Sequence, residues 1–171
     1  MKNTMKKALS ALLVMMIFAS VLLLPGCQED KLVIDDPTPS GETQASEGTA
    51  NDTAEELVTK VSDTCIVIKT TQKSIGDATD MLLIDYMEDL KENGELEFTI
   101  SNGMINSING TENPADYSYC WMLYTSDEDN ANAAWGVVEY KGEEYGSAIS
   151  GAETLVIKPD QLYIWVYKSF S

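Results

Sequence analysis

The chain has 171 residues, 44% of them hydrophobic, which supports one packed domain with flanking segments and excludes wholesale disorder. It carries 11 Lys, no Arg and no His against 28 acidic residues, for a net charge of −17. That charge repels phosphate backbones and argues against nucleic acid as a partner. The missing His and Arg exclude Ser-His-Asp and Cys-His catalysis, His-containing zinc sites and arginine clamps.

From the N-terminus, Lys2, Lys6 and Lys7 precede an apolar run over residues 8–24, the pattern of an export signal. Leu22-Leu23-Leu24-Pro25-Gly26-Cys27 resembles the lipobox of bacterial lipoproteins, with Pro25 a departure from the usual small residue. The resemblance implies removal of residues 1–26, a lipid on Cys27, and a protein held at the extracytoplasmic face of a bacterial cell membrane. Three of the 11 lysines and none of the 28 acids precede Cys27, so the chain from Cys27 onward carries −20. Residues 27–57 mix acids with Pro, Ser, Thr and Gly, which predicts a disordered acidic tether. Leu32-Val33-Ile34 is its one apolar stretch, and an added edge strand there is the less favoured reading.

A folded domain is expected over residues 58–171. Residues 64–69 predict a strand apolar on both faces. A polar loop over 70–79 leads to Asp80, the expected N-cap of a helix over 81–92 that aligns Leu83, Tyr86, Met87 and Leu90 and stops at Asn93-Gly94. Strands follow over 96–100, 104–108 and 119–125, with tight turns at Asn102-Gly103 and Asn109-Gly110, so that 102–124 reads as the middle of an antiparallel sheet. An acidic loop over 125–132, an extended piece over 134–140 and a loop or short hairpin over 141–151 come next. Residues 153–157 lead to an expected type I turn at Pro159-Asp160 and a last strand over 162–168. The class is α+β, a mixed sheet with one packed helix.

Alternation along the strands sets Tyr119, Trp121 and Leu123 against Cys120, Met122 and Tyr124, and Tyr163, Trp165 and Tyr167 against Leu162, Ile164 and Val166. An aromatic face suits a planar ligand or a sugar; ordinary core packing is the simpler reading. Cys65 and Cys120, in an exported chain, either pair as a disulfide or remain two buried thiols. Asp127-Glu128-Asp129-Asn130 has the oxygens calcium prefers but not the spacing, so a solvated loop is expected and no metal site is assigned.

Met104-Ile105-Asn106-Ser107-Ile108-Asn109-Gly110, then Trp121, then Gly136, then a strand–turn–strand ending in Trp165 and Tyr167, resembles the transcobalamin-like C-terminal domain, also termed DUF4430. This is the β domain of the vertebrate cobalamin carriers and occurs in bacterial surface proteins. The likeness covers roughly residues 66–170; Pro159-Asp160 departs from the family's Gly-Asp. It implies a β-grasp-like domain that binds a ligand in place of catalysing a reaction, with cobalamin as the ligand and no required cofactor. It places the segment of Tyr119, Trp121 and Leu123 near the ligand face, Trp121 matching the family tryptophan; Trp135, beside Gly136 in the next loop, reads as the exposed anchor. The alternative is a module that binds a protein or the cell wall and no small molecule.

Overall fold

The computed structural model describes residues 32–34 and 55–169. The expected signal segment, Cys27 and most of the expected tether lie outside them. In chain order the elements are β1 (Leu32–Ile34), β2 (Val58–Ser62), β3 (Cys65–Lys69), α1 (Gln72–Ile75), α2 (Leu83–Glu92), β4 (Phe98–Ser101), β5 (Met104–Ile108), β6 (Thr111–Glu112), β7 (Tyr119–Thr125), β8 (Ala131–Tyr140), β9 (Glu143–Ala148) and β10 (Leu162–Ser169). The fold is α+β. Seven strands in the order β1-β8-β9-β7-β10-β3-β2 form a mixed sheet, in which β1 runs parallel to β8 and the other pairs are antiparallel. Strands β4, β5 and β6 form a second, antiparallel sheet. The stretch 102–124, expected within one sheet, therefore divides between two.

Turn chemistry explains the hairpins. Asn102-Gly103, Asn109-Gly110 and Lys141-Gly142 each have two successive positive φ values, the requirement of the type I′ turn that matches strand twist. Each is a two-residue connection between paired residues: Ser101 with Met104, Ile108 with Thr111, and Tyr140 with Glu143. Asp160 also has a positive φ, which rules out the expected type I turn and fits type II, where Pro occupies the preceding position.

Helix α2 buries Leu83, Tyr86, Met87 and Leu90, as the spacing predicts. Asp80 does not cap it. The N-cap is Leu82, and the free N–H groups of Leu83 and Ile84 donate to the carbonyls of Leu155 and Ala152. Residues 151–157 thus serve as the cap, joined to the helix start by one bridge between Leu82 and Val156 rather than forming a strand. The helix ends in a Schellman motif: Gly94 N–H donates to Lys91 and Glu95 N–H to Leu90. The 70–79 region is not all loop, since Thr71 and Ser74 form a capping box on the one-turn helix α1.

Both faces of the large sheet are covered. On one, Ile66, Ile68, Trp121, Leu123, Tyr163 and Trp165 pack against α2 and against Phe98, Ile105 and Ile108 of the small sheet. On the other, Cys65, Val67, Tyr124, Ile164 and Val166 pack with Val138, Tyr140 and Tyr145 of β8 and β9. Strands of one sheet meet across a core because the sheet turns a corner. β9 holds β7 through two residue pairs only, and β8 carries a bulge where Asn132 and Val137 pair with the adjacent Ser147 and Gly146, leaving residues 133–136 outside the ladder. Gly136 in that bulge has φ +127. The curl brings β1 and β2, the two ends of the strand order, to a shared groove lined by Val33 and Val61.

Leu32-Val33-Ile34, which composition places in the tether, is edge strand β1. Its residues lie opposite Val138, Glu139 and Tyr140, and Ile34 packs on the second core. Three apolar residues suffice because the parallel ladder meets a partly buried strand edge.

Candidate functional site

Strand alternation gives β7 and β10 a face of Trp121, Leu123 and Trp165. The small sheet and the cap segment do not cover this face completely. Between them opens a cleft of about 290 Å³. Its floor is Trp121, Leu123 and Trp165; one wall is the β4–β5 hairpin with Ile100 and Met104, and the other is residues 147–152 with Ile149. Ile100, Met104 and Ile149 at the rim are exposed, while Trp121 and Trp165 are only 5% and 4% exposed. Exposed aliphatic side chains around a buried aromatic floor suit an apolar group, near the lower end of the volume range of ligand sites.

The walls are held by hydrogen bonds. Ile149 N–H donates to Asn130 O at 2.9 Å, and the helix cap described above fixes Ala152. On the other wall, Asn113 Nδ2 donates to Ile105 O at 2.8 Å while its Oδ1 accepts from Trp121 N–H at 3.2 Å. The two indoles of the floor differ. Trp121 Nε1 donates to Thr111 O at 2.9 Å, whereas Trp165 Nε1 is buried without an acceptor among the described residues.

Among the described residues lining the cleft none titrates; its hydroxyls are those of Ser147 and Ser150. The described lining thus presents a mainly apolar surface.

Of the four residues named from sequence, Trp121 and Leu123 lie in the floor. Tyr119 is exposed and stacks on Tyr167, ring centres 5.6 Å apart, outside the cleft. Trp135 is 63% exposed on the β8 bulge and also outside it. The aromatic face is mainly core, with α2 packed across it. Ile100, Met104 and Ile149 are not among the candidate ligand residues read from sequence, although Met104 opens the motif that carries the resemblance and Ile149 is an aliphatic residue within a Gly- and Ser-rich loop.

Cys65 and Cys120 are unpaired. They flank β10, Cys65 opposite Val166 and Cys120 opposite Lys168. Two inter-strand spacings and a two-residue stagger along β10 set their backbones roughly 12 Å apart, beyond the ~7 Å limit of a disulfide. Burial pushes the Cys65 thiol up to about 12 and raises Cys120 as well, so neither is poised as a nucleophile. In the acidic loop, Asp127 Oδ1 and Asp129 Oδ2 each accept from Lys158 Nζ at 2.7 Å. The acids there answer a lysine of the turn before β10.

No family model, no curated protein and no solved structure matches this chain.

Proposed function

We propose that the chain is a lipid-anchored, extracytoplasmic binding module without catalytic activity, which takes an apolar or planar group into the cleft floored by Trp121, Leu123 and Trp165. The observation that carries this is the cleft itself: an aromatic floor, three exposed aliphatic side chains at its rim, and a lining without titratable groups. The absence of His and Arg from the sequence agrees with binding rather than turnover.

The β-grasp-like reading is supported by a mixed sheet with α2 packed across one face. The transcobalamin-like resemblance names a corrinoid as the ligand. A cleft of about 290 Å³ cannot enclose a corrinoid, so such a ligand would lie across the mouth with one peripheral group inside. The rim supports equally a partner protein at the cell surface inserting one apolar side chain.

Titration with cobalamin, followed by methyl and indole NMR resonances, tests the small-molecule reading. Binding there shifts the Ile100, Met104, Ile149 and Trp165 signals together, and Leu123→Ala weakens it several-fold. Unmoved signals at millimolar cobalamin would remove the corrinoid and leave the partner protein.

A further inference from the structure

Two exposed apolar side chains, Val33 and Trp135, sit away from the cleft on neighbouring strands at one edge of the large sheet. Trp135 is the most exposed large hydrophobic residue described, and the β8 bulge holds it clear of the sheet together with exposed Ala133 and Ala134. The bulge uses Gly136 for its φ of +127, a backbone demand that does not extend to a large apolar neighbour.

The position of that bulge relative to the chain's N-terminal side is informative. β1 is parallel to β8 and Leu32 lies opposite Val138, three residues past Trp135. Because β1 and β8 run the same way, the N-terminal end of β1 is the end nearer the bulge, and Trp135 lies at most about 10 Å along β8 from Val138. Cys27 is five residues before Leu32, so chain length alone holds them within about 18 Å. The chain therefore enters the domain at the end of the edge that displays Trp135.

We propose that Trp135 is a membrane-interface anchor: its indole seats at the headgroup level and turns the β1–β8 edge toward the bilayer. This rests on the lipid at Cys27. Tryptophan prefers that depth because its ring is apolar and its N–H stays hydrated. The partner is the lipid surface, reached by hydrophobic insertion rather than by charge, since a chain of net −20 beyond Cys27 is repelled by anionic headgroups. The lipid supplies the affinity, and Trp135 supplies orientation.

The test uses the full lipidated protein, extracted in detergent and reconstituted into phosphatidylcholine vesicles containing brominated lipid. Bromine quenching of tryptophan emission is expected to be strong in the parent and to fall several-fold in Trp135→Ala, because Trp121 and Trp165 are buried. Equal quenching in both, or none in the parent, would overturn the proposal. A long Gly/Ser segment inserted between Cys27 and Leu32 should keep the protein in the vesicles and reduce the quenching. Full quenching with that insert would show that the short connection does not position the indole. The lipid is checked separately by intact mass and by release of Cys27→Ala from the membrane fraction. An unlipidated mature chain would sink both readings, whereas a lipidated chain with unquenched Trp135 would sink this one alone.

Discussion

Trp121 on β7 donates its indole N–H to the carbonyl oxygen of Thr111 on β6, 2.9 Å away, and so hydrogen-bonds the large sheet to the small one. The carbonyl belongs to the residue that follows the Asn109-Gly110 turn, so a local turn signal and a distant strand meet in one bond.

That bond should be measurable against its neighbour. Trp121→Phe deletes a made hydrogen bond, worth about 1 kcal/mol, in addition to lost packing. Trp165→Phe deletes an N–H that is buried without an acceptor, so removing the donor there relieves a penalty and offsets part of the packing loss. Urea midpoints should therefore fall further for Trp121→Phe than for Trp165→Phe. The reverse order would mean that Trp165 has a partner.

Thiol titration should separate burial from pairing. Cys65 and Cys120 are expected to react slowly or not at all with a disulfide reagent in the native protein and both to react in guanidinium without reductant. A chain that gives no thiol signal after unfolding would contain the disulfide that the strand order excludes.

Asp127 sets an acid limit on stability. Burial pushes its carboxyl up, but hydrogen bonds from Lys158 and Asn130 and the charge of Lys158 outweigh that and hold it below the usual carboxylate range. A lowered folded value contributes stability that is present above the unfolded value near ~3.9 and is lost as pH falls through the folded one. Lys158 is raised by its hydrogen bonds to Asp127 and Asp129, so its share is present below its ordinary value and lost only at strongly alkaline pH. Because Lys158 is partly exposed, solvent screens the pair and its contribution at neutral pH is modest. Thermal melts of Asp127→Asn from pH 7 down to pH 2 should start lower than the parent and fall less steeply.

Gly146 tests the corner of the sheet. A Cβ there would lie 3.1 Å from Ala133 N, 3.2 Å from Ala131 Cβ and 3.3 Å from the Asn132 carbonyl carbon, mostly backbone that cannot swing away. Gly146→Ala should cost about 1–3 kcal/mol and shift the β8 bulge, moving the Trp135 indole resonance. Gly151→Ala, with nothing within 4 Å and no positive φ, is the control and should stay within about 0.5 kcal/mol of the parent.

Much of the local structure was legible because its causes are local. Asn102-Gly103 and Asn109-Gly110 dictated their turns, the Leu83 to Leu90 stripe its helix face, and the run over 119–125 its strand. What escaped was set by partners far along the chain. Asp80 failed as a cap because Ala152 and Leu155 had already supplied the carbonyls. Strands β5 and β7 both read as extended in sequence, yet the connection between them lets each pair in a different sheet. The Leu32-Val33-Ile34 triplet is too short to register as a strand until β8 provides an edge. The cleft was half visible for the same reason: Trp121 and Leu123 follow from alternation on one strand, whereas Ile100, Met104 and Ile149 reach it through tertiary packing.

The three residue pairs between β1 and β8 also act as a length switch. While they hold, a load applied at Cys27 enters the body through five residues. If β1 lifts, the next described strand is β2, and Val58 lies 31 residues from Cys27, a span of at most about 110 Å. Because β1 is an edge strand paired with β8 alone, parting it leaves the other described strand ladders intact.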